Sequence, residues 1–160
     1  MDKKLRRFRN ALVINGWGIV AFGVWSVIKL ILIFISNPPS FEVAETDAIV
    51  KIISKIFLIA ALIIVITCIL SIHLYIGRSA SREGINGKRG SFYLVAAVFV
   101  FLILLCEMVL YFVPDESGKI ALIGKLAAFF IDLTKTVIMV DTLYSAFMSR
   151  KLANKLENQR

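Results

Sequence analysis

Cysteine, histidine, proline and acidic residues are all scarce in this chain. The 160 residues hold two cysteines, Cys68 and Cys106, both inside long apolar runs and without a CxxC spacing. That excludes a disulfide framework and a dithiol redox centre, and both read as small apolar packing residues. The single histidine, His73, excludes an HExxH site, a His/Cys metal cluster and a Cys-His nucleophile pair. Gly87-Lys88 is followed by Arg89, and position 82 is arginine, so a Walker A phosphate loop fails at two required places. No enzyme, cofactor or metal is expected. Three prolines and nine glycines exclude a collagenous or low-complexity chain.

What is abundant is apolar surface. The chain is 59% hydrophobic with a mean hydropathy of +0.83, against roughly 45 to 50% for a soluble domain. Twelve phenylalanines and long Ile/Leu/Val runs lack the alternation over about 10 residues that marks an outer-membrane barrel. A helical bilayer crossing needs about 20 apolar residues. Four such runs are present, 11–35, 52–76, 91–113 and 120–147. The expected fold is therefore an all-α membrane protein, a single four-transmembrane-helix antiparallel bundle over 1–160. The first run is too long for the core of a cleaved signal peptide, about 7 to 15 residues, and reads as a retained anchor. Pro38 and Pro114 are expected to close the first and third helices, and Asp47 to cap the second.

The formal charge of +8 suggests no nucleic-acid partner, because it is segregated between the runs. Thirteen of the nineteen basic residues lie in three segments, MDKKLRRFRN (1–10), GRSASREGINGKRG (77–90) and SRKLANKLENQR (149–160). The other two connections carry Glu42, Glu45, Asp47, Asp115 and Glu116. Short Lys/Arg-rich loops stay cytoplasmic, so both termini and the middle connection are expected inside an integral plasma membrane. The Ile/Lys/Phe-rich usage points to a bacterial inner membrane.

Three expectations concern the basic segments. Leu5, Phe8 and Leu12 recur at helical spacing among lysines and arginines, as in an amphipathic helix lying on anionic headgroups at the cytoplasmic face. Gly77, Gly84, Gly87 and Gly90 are expected to make 77–90 a flexible turn that fragments any helix. The fourth helix is expected to run on through 148–160 as a cytoplasmic helical tail, with Met148, Leu152 and Leu156 on one stripe.

Ionisable residues inside apolar runs carry the functional signal. At 1.5 Å per residue, Lys29, Glu107 and Lys125 lie roughly 9 Å below the outer ends of their helices. Glu107 is expected to pair with Lys29 or Lys125. Asp132 falls near the middle of the fourth run, and Lys125, Asp132, Lys135 and Thr136 share one stripe of it. At about 3 kcal/mol each, these three charges cost on the order of 9 kcal/mol against lipid. The eleven Ile, Leu, Val and Phe of 120–140 return only about 3 to 7 kcal/mol. The stripe must therefore face protein, with Lys135 and Thr136 near Asp132 and Asn15, Ser26 or Thr67 opposite. His73 and Asp141 are expected to meet at the cytoplasmic interface. Two function classes remain. One is a non-enzymatic subunit or scaffold of a larger membrane complex, or a homo-oligomer, docking through the fourth-helix charges. The alternative is a small ion- or proton-coupled transporter or channel using Asp132.

Overall fold

The structure is a computed structural model that describes residues 3–36, 48–87, 89–112 and 119–159, with side chains excluded at 48 and 119–125. The expected stops at Pro38 and Pro114, the cap at Asp47 and the side chain of Lys125 lie outside those residues. The described residues form four helices, α1 (Lys3–Ser36), α2 (Ala48–Asn86), α3 (Phe92–Leu110) and α4 (Lys119–Glu157), and no strand. Three of them, α1, α2 and α3, are long and apolar enough to cross a membrane. The most apolar part of α4 is interrupted by Asp132, Lys135 and Asp141.

The helices alternate in direction, and α1 packs most closely with α2 and then with α4, while α3 packs on α4 and on the C-terminal half of α2. The start of α1, the α2–α3 connection and the end of α4 share one end, shown by the Phe8–Tyr144 ring contact at 5.9 Å and by Arg89 bonding Asn154. Here this is called the basic end. The core of Leu12, Ile19, Ile76, Ala80, Tyr93, Ala97, Val100, Leu104, Met139 and Ala146 fills the half nearest to it.

A glycine seam holds α1 to α2. A Cβ on Gly16 would stand 2.5 Å from the Gly77 carbonyl oxygen, and one on Gly84 2.5 Å from that of Arg9. Further along, a Cβ on Gly23 would meet His73 Cβ at 2.6 Å. The backbones therefore touch, which small residues permit in apolar surroundings, where dispersion and close packing drive helix association.

This seam corrects the expected flexible turn. Gly77 and Gly84 are helical, and α2 continues without a break to Asn86. Their lack of a side chain is used for contact with α1, and that packing outweighs the cost of about 1 kcal/mol per helical glycine. Only Gly87, at φ +67°, takes the left-handed conformation that ends a helix, its N–H donating to the Glu83 carbonyl at 2.9 Å.

The N-terminal amphipathic segment is the first part of α1, and its apolar side packs on protein: Leu5 is 4% and Leu12 0% exposed. Lys3, Arg6 and Arg7 remain outward. At the other terminus α4 is one uninterrupted helix of 39 residues. Its covered side near the end is Ser145, Ala146 and Ser149, with Met148 and Leu152 half-buried beside it and Leu156 exposed.

Candidate functional site

Asp132 is 2% exposed. Its Oδ2 accepts from Lys29 Nζ of α1 at 2.7 Å and from the Tyr111 hydroxyl, just past α3, at 2.6 Å. Lys29 also donates to the Tyr111 oxygen at 2.9 Å, closing a triangle of cation, phenol and carboxylate. One turn along α4, Lys135 is 6% exposed and donates to Ser26 Oγ of α1 at 2.8 Å. The Thr136 hydroxyl donates to the Asp132 main-chain carbonyl at 2.8 Å. Glu107 of α3 is half-buried and near enough to act electrostatically on both Lys29 and Lys135.

These groups surround a cavity of about 110 Å³ lined by Ser26, Lys29, Leu30, Ile33, Ile69, Glu107 and Asp132. One water needs roughly 10 to 15 Å³ of such space, so several fit. Two ammonium groups and two carboxylates balance the local charge. Each group by itself is expensive in an apolar medium, and pairing with hydrogen bonding is what makes burial tolerable.

The geometry redistributes the expected contacts. Lys29 takes Asp132, not Glu107, as its ion-pair partner. The reason is register: Tyr111, at the end of α3, lies level with Asp132, so Asp132 stands at the depth of Lys29. Glu107 is one turn nearer the basic end. Lys135 meets Ser26, while the Thr67 hydroxyl, on the exposed side of α2, donates to its own helix at Ile63.

The expected His73–Asp141 pair does not form, because α1 runs between the two helices that carry them. Gly23 of α1 covers the imidazole, whose Nδ1 lies 2.8 Å from the Ile69 carbonyl oxygen. Its buried Nε2 has no partner among the described residues. Asp141 is exposed and accepts from Asn15 Nδ2 of α1 at 2.7 Å.

A second polar cluster, absent from the sequence reading, occupies the basic end. Glu83, 2% exposed, accepts two bonds from Arg150, Nε to Oε1 at 2.7 Å and Nη2 to Oε2 at 2.7 Å. The Tyr93 hydroxyl, 1% exposed as a residue, adds a third at 2.8 Å. Arg150 Nη2 also donates to the Gly90 carbonyl at 2.6 Å. The bond to Glu83 is the main reason the Arg150 guanidinium is pushed above its ordinary pKa. One signal in the sequence points here: Glu83 is the one acid in the basic segment 77–90. Tyr93 and Tyr111 are 18 residues apart, five helical turns at 3.6 per turn, one at each cluster.

Among the described residues no three His, Cys, Asp or Glu side chains group as metal ligands. Compared with known proteins, the chain matches no family model, no curated protein and no solved structure.

Proposed function

We propose that this chain is a non-enzymatic multi-pass protein of the plasma membrane, with all four helices crossing and both termini cytoplasmic, that works by association as a subunit of a larger membrane complex or as a homo-oligomer. Segregated basic residues support the orientation. The fourth crossing is supported by the way α1 and Tyr111 cover the charged stripe of α4. Asp132 and Lys135 find partners within the chain, so the proposed docking surface lies beyond these two.

One observation carries the reading. The most apolar stretch of α2 has no buried residue, and on its exposed side Ala60, Thr67 and Ser71 fall within an arc of about 40° at 100° per residue. Small residues along one uncovered face let a neighbouring helix approach closely. Cys68 borders that face, while Cys106 is exposed on α3. Oxidative crosslinking in native membranes then tests the reading without any substitution: a crosslinked species lost in Cys68→Ala and kept in Cys106→Ala supports contact through α2. Absence of a Cys68 crosslink, with only monomer and no co-purifying protein after gentle solubilisation, overturns it.

A second reading rests on the cavity beside Asp132, which has room for several waters. A carboxylate next to a displaceable lysine is the equipment of an ion- or proton-coupled transporter or channel. Flux through proteoliposomes that falls in Asp132→Asn supports it, and unchanged flux removes it.

A further inference from the structure

The glycine seam has an open side at the basic end. There Gly16, Trp17 and Val20 of α1 and Gly77, Arg78 and Arg82 of α2 line a groove of about 250 Å³ whose surface is mostly apolar. Its floor is shallow because no side chain rises from Gly16 or Gly77, whose backbones are in contact. Arg78 and Arg82 are one turn apart, so they stand side by side on one face of α2. Both are exposed, and no carboxylate pairs with either among the described residues. Trp17 is 67% exposed at the other wall.

Three features favour a position at the level of lipid headgroups. Tryptophan and tyrosine concentrate at membrane–water interfaces; Trp17 lines the groove, and the exposed Tyr75 lies one turn before Arg78 on α2. Phe92, the first residue of α3, packs on Tyr75 at 6.2 Å between ring centroids, so the most apolar helix begins within one turn of Arg78. Arg82, Lys3, Arg6 and Arg7 then follow toward the solvent.

We infer that this groove is a seat for one anionic phospholipid, its phosphate held between the Arg78 and Arg82 guanidiniums and the start of one acyl chain lying along Trp17 and Val20. The charge is complementary, and paired guanidiniums suit phosphate oxygens geometrically. The volume is below the roughly 300 to 1,000 Å³ of pockets that enclose small molecules. It therefore fits the top of a lipid whose remainder stays in the bilayer better than a soluble metabolite. A basic surface that merely attracts an anionic leaflet would treat all exposed arginines alike. The proposed seat does not. This inference rests on the membrane orientation proposed above and is independent of oligomerisation.

The test is native mass spectrometry of the full chain released from nanodiscs of mixed phosphatidylglycerol and phosphatidylcholine. Expected is one retained phosphatidylglycerol per chain, with retention about thirty-fold weaker in Arg78→Gln/Arg82→Gln, since each basic residue at an anionic surface is worth about five-fold. Trp17→Ala, which keeps every charge, should also weaken it. Arg6→Gln/Arg7→Gln, the same change of charge further out, should leave it intact. Equal losses in the two double variants, equal retention of phosphatidylcholine, or displacement by millimolar inorganic phosphate would overturn the seat. Failure of the chain to insert into nanodiscs would instead overturn the membrane reading, a separate outcome.

Discussion

Asp132 and Glu83 are both buried carboxylates held by one cation and one tyrosine hydroxyl, and both tyrosines flank or open the same helix, α3. The two sites differ in the cation and in what surrounds it. Arg150 engages both oxygens of Glu83 through a planar fork and uses a further N–H on the Gly90 carbonyl. The Asp132 site has a single ammonium, a cavity beside it, and a second lysine and a second carboxylate nearby. A guanidinium fork is rigid and always charged, whereas an ammonium on a flexible stem reorients readily. The basic end is thus a clamp joining α2, α3 and α4, and the far end is an adjustable charge cluster joining α1 to α4. Rigidity at one end and latitude at the other is a consequence of arginine in one place and lysine in the other.

The largest expected effect comes from breaking the clamp. Arg150→Ala leaves the Glu83 carboxylate buried with only Tyr93, and removal of one partner of a buried pair costs about 3 to 5 kcal/mol. Thermal unfolding in detergent should register most of this as a lowered midpoint. Arg150→Lys should recover little, because one ammonium cannot reproduce the bidentate contact. Glu83→Gln combined with Arg150→Met should recover most of it. Equal stability of Arg150→Ala and the unaltered protein would show that the clamp is not structural.

Lys29→Met is the matching change at the far end, and its effect should be smaller, about 1 to 3 kcal/mol. Tyr111 still donates to Asp132, Lys135 stands one turn away, and the cavity admits water. The comparison is sharpened by asking what rescues it. Asp132→Asn in the Lys29→Met background should restore stability, giving a coupling of about 0.5 to 3 kcal/mol in the double-mutant cycle. A loss at Lys29 equal to that at Arg150 would mean that the two ends are equally rigid.

The tyrosines probe the same contrast through single hydroxyls. Tyr93→Phe removes a hydroxyl from a residue 1% exposed that donates to a carboxylate, worth about 1.5 to 3 kcal/mol. Tyr111 is half-exposed, so Tyr111→Phe should cost less under the same denaturation assay. Reversal of that order would contradict the rigid and adjustable assignments.

How far these sites were legible follows from what a sequence can encode locally. Hydropathy marks α1, α2 and α3 because each contains an apolar stretch long enough to cross a membrane. The demand that Asp132 face protein was legible as well, since no lipid-facing position tolerates three charges on one stripe. Its partner was not. Depth counted from the ends of separate runs assumes that all four begin and end at common planes, whereas α3 stops level with Asp132 while α1, α2 and α4 run on. Register is a tertiary fact: the glycine seam fixes it between α1 and α2, and no local pattern encodes it for α3 and α4. For the same reason Glu83 was lost in an apparent loop: Gly77 and Gly84 have the composition of a turn, and only the opposing backbone of α1 shows why they are helical. Pairing His73 with Asp141 failed because equal depth does not establish adjacency when another helix lies between.

The smallest effect separates a glycine required by contact from one that is not, and it asks whether the seam links the two clusters. Gly16 and Gly18 lie two residues apart in α1. A Cβ at Gly16 would clash with the Gly77 carbonyl, while one at Gly18 would meet only the Ile138 side chain at 3.5 Å, ordinary packing distance. Gly16→Ala should therefore push α2 away from α1 at a cost of about 1 to 3 kcal/mol. The displaced helix carries Glu83, so the clamp should loosen, visible as faster amide exchange around residues 83–90. Gly18→Ala faces α4 and gains helix propensity, about 0.5 to 1 kcal/mol. It should raise the unfolding midpoint slightly with exchange at both clusters unchanged. Were Gly18→Ala to disturb the Lys29–Asp132 pair instead, α1 would be seated against α4 more tightly than Ile138 indicates, and the far end would lose its claim to latitude.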